Sequence, residues 1–165
     1  MTTEPFPQVD DVDRAILESL ARDARASISA VAEEVHVSRA NAYARVQRLV
    51  ESGVIDAFTV RVPPAAVGIG ASAYIGLNIA QDSWREVREA LSKVEGIDHV
   101  ALCSGDVDVL VLARTPDIAT LRDLVLEGIR SIPGVLTTRT SIILDELDNP
   151  GLPGRALADG GLVGG

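Results

Sequence analysis

The chain has 165 residues, 47% hydrophobic and 24% charged, so it carries enough apolar material for a packed core and is not a wholly disordered sequence. Aromatics are only 3%, no apolar run approaches the roughly 20 residues that span a bilayer, and Thr2, Thr3, Glu4 and Pro5 lack signal-peptide character, so no membrane partner and a cytoplasmic setting are expected. Cys103 is the sole cysteine, which excludes an internal disulfide, and a formal net charge of −9 argues, taken globally, against nucleic acid as a partner.

Composition shifts divide the chain. Residues 1–8 are polar and aperiodic, Pro63-Pro64 with Gly68 and Gly70 interrupts the middle, and 149–165 holds six glycines and two prolines in 17 residues. The expected organisation is an ordered block over 9–62, a linker over 63–70, a second block over 71–147 and a flexible tail over 148–165.

The first block reads as helices. Val9, Val12, Ile16, Leu17 and Leu20 recur at helical spacing behind Asp10, an N-cap residue type with Asp13 three positions on. A second short helix is expected after Ser29, with Val31, Ala32 and Val35 on one side. His36-Val37 makes a turn, with His36 where a left-handed backbone favours glycine. Ser38 caps a third helix bearing Ala42, Val46 and Leu49, and Gly53 closes it. Ile55–Val62 alternates as a strand, a small wing, before the prolines stop it.

The second block repeats strand–helix–strand twice: 71–79, 83–94, 100–103, then 107–113, 118–132, 135–144. This βαββαβ order predicts a ferredoxin-like antiparallel sheet with both helices on one face. On strand 107–113, Val107, Val109 and Val111 point one way and Leu110 and Leu112 the other. A strand apolar on both faces needs cover on both, and two helices cover one. The expected cover is a second copy of the chain.

Residues 29–46 have helix-turn-helix spacing. Ala32 is small enough for a close helix crossing, and Val35 and Val37 flank the turn. The outward positions of the third helix begin at the cap Ser38 and carry Arg39, Ala40, Asn41, Tyr43, Ala44, Arg45, Gln47 and Arg48, and residues 38–61 net +2 against the acidic whole. Arg, Asn and Gln are the types that read base edges or grip phosphates. A helix entering the major groove leads with its first turn, so Arg39, Asn41 and Tyr43 are base-proximal. Arg45, Gln47 and Arg48 lie further along, where phosphate or internal salt-bridge roles fit. The plainer alternative is a three-helix bundle whose arginines are a solvated face.

Several motifs then agree in order. Val12-Asp13-Arg14-Ala15-Ile16-Leu17 with Asp23-Ala24-Arg25, Val37-Ser38, Arg45-Val46-Gln47-Arg48-Leu49, Gly53-Val54-Ile55, Ser104-Gly105-Asp106-Val107-Asp108, and Ile132-Pro133-Gly134-Val135 with Thr138-Arg139-Thr140 resemble the Lrp/AsnC (feast/famine) transcriptional regulators over about 9–147. The resemblance implies an α+β protein: an N-terminal winged helix-turn-helix on double-stranded DNA, and a C-terminal domain of the dimeric α+β barrel type that binds a small effector, usually an amino acid. It also implies homodimers that assemble to tetramers or octamers. No cofactor is implied.

In the SGDxD segment, Gly105 permits a tight turn, and Asp106 and Asp108, two apart on a strand, would share a side that suits an ammonium group. Ser104 and Gly105 complete the hairpin, and Thr137, Thr138 and Thr140 would offer hydroxyls or amides to a carboxylate. The alternative makes Asp106 a turn residue and Asp108 half of a dimer salt bridge with Arg139. Other features carry less. His36 and His99 fall in different blocks without ligand spacing, Cys103 reads as a small buried residue, Trp84 and Tyr74 read as packing residues, and Gly68-Ile69-Gly70 precedes a strand where a phosphate loop would precede a helix. A rival function, sirohaem decarboxylase on the same two-domain architecture, would need histidines and arginines around a tetrapyrrole. His99 is the only histidine of the second block, and an enzyme has no need of the Arg/Asn/Gln surface on helix 38–52.

Overall fold

The computed structural model describes residues 8–146; the expected tail from 148 on lies outside the described residues. The boundary between two compact units falls between Arg61 and Val62.

Three helices form the first unit. Helix α1, Asp11–Arg22, starts where Asp10 accepts the Asp13 N–H and the Asp13 carboxylate accepts the Asp10 N–H, a reciprocal box that satisfies two donors a helix start would otherwise leave open. Helix α2 spans Ile28–Glu34 with Ser27 as its cap, two residues before the expected start, because the Ser27 hydroxyl accepts the Ala30 N–H. Helix α3, Arg39–Glu51, is capped by Ser38 and closed at Ser52-Gly53, with Gly53 at φ +73°. Ile16, Leu20, Val31, Val46 and Leu49 make the core. Ala32 is buried, as a close α2–α3 crossing requires, and His36 takes the left-handed turn at φ +56°.

The expected wing strand is absent. Residues 55–62 hold no strand, and Phe58, Val60 and Val62 are exposed. Their alternation is genuine, but no described strand lies beside them to complete a ladder, and a lone extended segment leaves its backbone groups to water.

The second unit builds β1 (Ala71–Ile79), α4 (Trp84–Leu91), β2 (Ile97–Leu102), β3 (Val109–Thr115), α5 (Ile118–Asp123, continuing as a π-helical turn over Leu124–Ile129) and β4 (Val135–Ile142). The sheet order is β2-β3-β1-β4, with each adjacent pair antiparallel. One face carries the core: Ala71, Ala73, Ile75 and Leu77 of β1, Val109, Val111 and Ala113 of β3, Val87 and Leu91 of α4, and Leu121 and Ile129. The 3₁₀ turn at Pro64–Val67 and the Gly70 N–H bond to the Thr115 carbonyl tie most of the expected linker to this unit.

The elements also depart from the sequence pattern in detail: β2 runs Ile97–Leu102 where 100–103 was expected. Val107 stands outside β3, and its side chain covers Gly76 on the face opposite Val109, because the Asp108 N–H bonds the Leu77 carbonyl and the alternation breaks there. Helix 118–132 is α-helical only in its first part. On the face away from the helices, Leu110 and Leu112 are half-buried and Tyr74 is exposed, so Tyr74 does not serve this chain's own core.

Gly70 has no room for a side chain: an added Cβ would stand 2.4 Å from the Pro116 carbonyl oxygen, a backbone atom that cannot swing aside. Gly70→Ala is expected to lower stability by about 1–3 kcal/mol, read from the urea midpoint, whereas Gly128→Ala, whose Cβ would meet only Val94 at 3.4 Å, should cost less.

Candidate functional site

Two sets of polar residues stand out, one on each unit. On the first, α3 presents Arg39, Ala40, Asn41, Tyr43, Ala44, Gln47 and Arg48 to solvent, with Tyr43 56% exposed. The helix has two flanks of different character. On one flank Arg45 Nη1 donates to Asp10 (2.8 and 2.7 Å to its two oxygens) and to Asp13 (2.8 Å), and Arg48 pairs with the other Asp13 oxygen. Arg45 Nε also donates to Asn41 Oδ1 at 2.7 Å, which fixes the orientation of that amide. Of the two roles open to Arg45 and Arg48, the internal salt bridge is the one formed here. On the other flank, the side chains of Arg39, Tyr43 and Gln47 make no hydrogen bond or ion pair among the described residues.

Asp13 is 0% exposed, and its carboxylate answers two guanidiniums and the Asp10 N–H. A carboxylate in that position is tolerable because every bond it would make to water is replaced. Sequence reading placed Asp13 at the helix start but missed this cross-helix role; Arg45 and Arg48 three apart on one helix were the signal that two cations could converge on one anion.

On the second unit, hairpin 104–108 lies at the end of the sheet where β1 finishes and β4 begins. Ser104, Gly105 and Asp106 are exposed. Asp108 Oδ2 accepts the Ile79 N–H at 2.9 Å, so this carboxylate holds the hairpin to β1. Asn78, which the sequence reading passed over, bridges the two sides: its Nδ2 donates to the Asp106 carbonyl at 3.1 Å and its Oδ1 accepts from Thr137 Oγ1 at 2.8 Å. Thr137 therefore belongs with the hairpin. Thr138 and Thr140 pair in register with Leu77 and Ile75, which places their side chains toward the helix-covered face. A cavity of about 340 Å³ lies at the same end, lined by Arg130, Val135, Leu136, Thr137 and Thr138. Thr140 instead lines a separate, largely apolar cavity of about 230 Å³ with Ile118, Leu121, Arg122, Val125, Leu126 and Ile142. Arg130 is a second residue that the sequence reading missed.

A capped helix-turn-helix joined to a βαββαβ sheet defines a two-domain DNA-binding regulator. An AsnC-type helix-turn-helix domain model matches residues 9–50 and an Lrp/AsnC ligand-binding domain model matches 72–152; the chain belongs to the Lrp/AsnC family of transcriptional regulators. It is 35% identical over 136 residues to the HTH-type transcriptional regulator FL11 of Pyrococcus abyssi (82% of this chain, 89% of that one) and 31% identical over 146 residues to the leucine-responsive regulatory protein of Klebsiella pneumoniae (87% and 89%). Among solved structures it is similar to a feast or famine regulatory protein of M. tuberculosis complexed with L-methionine, at 30% identity and TM-score 0.79, covering 86% of this chain and 96% of that one. Its fold is also that of E. coli AsnC (22% identity, TM-score 0.79, 85% and 95% covered). No helix among the described residues is long and apolar enough to cross a membrane.

Electrostatics give the first unit an acid limit. Hydrogen bonds from Arg45 and from the Asp13 N–H hold the Asp10 carboxyl below its usual range, and the Ser19 hydroxyl (2.6 Å) and Arg22 do the same for Glu34. A depressed folded pKa means that the unfolded chain binds more protons just below about pH 4, so this stability is present above that pH and lost as pH falls through the depressed values. The melting temperature is expected to drop between about pH 5 and pH 3, and Glu34→Gln should flatten that slope. Asp13→Ala should cost on the order of 3 kcal/mol in chemical denaturation, the lower end for a broken buried pair because its two arginines reach solvent.

Proposed function

We propose that this regulator reads double-stranded DNA with the first turns of α3 and that an amino acid bound at the hairpin end of its sheet adjusts that binding. The domain limits follow the sequence reading: 9–62 for DNA, 71–147 for effector and assembly. The observation that carries the DNA reading is the asymmetry of α3. One flank is committed to Asp10 and Asp13, while Ser38, Arg39, Ala40, Asn41, Tyr43 and Gln47 stay on the surface. Arg39 and Asn41 are placed to meet base edges, and Tyr43 to pack on the groove.

The effector reading is supported by the mycobacterial relative's L-methionine complex and by the chemistry at the sheet end. Asp106 supplies a solvent-facing carboxylate for an ammonium group, with Ser104, Gly105 and Thr137 beside it, and Asp108 sets the hairpin's position. Arg130 and Thr138, on the neighbouring cavity, suit the ligand's carboxylate. Thr140 lines a different cavity and takes no part in this version of the site. The uncovered sheet face with Tyr74, Leu110 and Leu112 supports a homodimer, the unit from which tetramers or octamers would be built.

In gel-shift titrations, Arg39→Ala with Asn41→Ala should lower discrimination between a selected site and random DNA by about 1–3 kcal/mol per lost base contact; an unchanged preference removes α3's first turns from base reading. In calorimetric titration with L-methionine, Asp106→Asn should weaken binding roughly 10- to 100-fold, the range of one charge-assisted hydrogen bond, with DNA binding in the absence of ligand unchanged. Equal affinities would make the hairpin carboxylates structural.

A further inference from the structure

The Asp10–Arg45 pair adds to a junction that Asp13 already makes. Asp13 alone, fully buried, joins α1 to α3 through both Arg45 and Arg48. Asp10 adds a second carboxylate on the solvent side of that junction, 54% exposed, with both its oxygens within 2.8 Å of Arg45 Nη1. Asp10, Asp13, Arg45 and Arg48 together are neutral, so the flank of α3 facing an open cavity lined by Asp10, Asn41, Ala44, Arg45 and Arg48 offers little net attraction to an anion. Without Asp10, Arg45 would keep its bond to the buried Asp13, and the group of Asp13, Arg45 and Arg48 would carry a net charge of +1 on its solvent side.

We infer that the Asp10 carboxylate is an internal competitor for a DNA phosphate: it withholds Arg45 from the DNA backbone and so holds down sequence-independent affinity. This rests on the reading of α3 as the DNA-binding helix. The carboxylate has an advantage over a phosphate because it is pre-placed, with its own Oδ1 already accepting the Asp13 N–H at 2.8 Å. The competition concerns a phosphate contact, which adds affinity at any DNA sequence.

The test uses the full chain and a random-sequence DNA duplex titrated at several salt concentrations. Asp10→Asn keeps a good N-cap and the bond to the Asp13 N–H but removes the charge. Asp11→Asn is the control: it removes the same charge one residue away, from a fully exposed side chain that pairs with Arg14 and not with Arg45. The expected result is that Asp10→Asn binds random DNA roughly two- to fivefold tighter, the range of an exposed ion pair, with a salt slope steeper by about 0.9, one added phosphate contact. Asp11→Asn should fall well short of both, and the gain should vanish when Arg45→Gln is combined with Asp10→Asn. Should Asp10→Asn lower the melting temperature, Asp10→Ser, another N-cap residue, replaces it. Equal effects of Asp10→Asn and Asp11→Asn, or a gain that survives Arg45→Gln, overturn the inference while leaving the DNA reading intact. Failure of the unaltered protein to bind any duplex overturns both.

Discussion

The buried Asp13 carboxylate is the constraint on which the DNA-binding unit depends. A helix-turn-helix works only if its second helix is held at a fixed angle to the rest of the unit, and the apolar contacts of Ile16, Val46 and Leu49 are non-directional. Asp13 supplies direction. Its position is set by the capping box with Asp10, and from there it takes one bond from each of two arginines on α3, a turn apart. The helix can neither rotate nor slide without exposing a dry carboxylate, which is costly once its partners leave. The C-terminal ends of α1 and α2 are tied by a lesser version of the same arrangement, in which Glu34 accepts from Ser19 and Arg22.

That constraint also divides the labour among the arginines. Counting four basic residues between positions 38 and 61 suggests a basic DNA-facing patch, but Arg45 and Arg48 are partnered by acids at the start of α1. For a chain with net charge −9, this shifts the burden of attraction onto few groups. A protein that neutralises few phosphates has shallow salt dependence and weak binding per site, and several DNA-binding units held together offset that through effective concentration. The sheet face at Tyr74, Leu110 and Leu112 is the apolar area on which such joining would draw.

Much of the fold was legible because local chemistry and global packing agree. Asp10 and Ser38 carry the capping side chains and Gly53 the left-handed backbone that their positions demand, His36 sits in a turn where a left-handed residue is needed, and β1 was readable to its ends from Ala71 to Ile79. Failures occurred where a pattern's meaning depends on a neighbour. Residues 55–62 alternate as a strand should, yet no described strand pairs with them. Val107 continues the alternation of Val109 and Val111 in sequence but not in space, because the Asp108 N–H is taken by the Leu77 carbonyl. The π-helical turn over Leu124–Ile129 has no marker in its apolar spacing. At the candidate effector end, the hairpin was visible from Gly105 and its flanking acids, whereas Asn78 and Arg130 come from elements far apart in sequence and carry no local motif.

The carboxylates show why residue type alone misjudges a site. By type and spacing Asp108 suits a ligand's ammonium group, yet it is occupied by a backbone N–H, and Asp10 and Asp13 are likewise taken up by backbone N–H groups and guanidiniums. Their occupation keeps neighbouring groups in place. Asp108, bonded to Ile79, fixes the hairpin on which Asp106 stands in solvent; Asp10 and Asp13 fix Arg45, whose Nε sets the amide of Asn41 on the surface of α3. In both units a polar side chain engaged within the fold positions an adjacent one that stays on the surface. Surface groups held in this way would lose little conformational freedom on meeting a partner, which lowers the entropic cost of any contact they make.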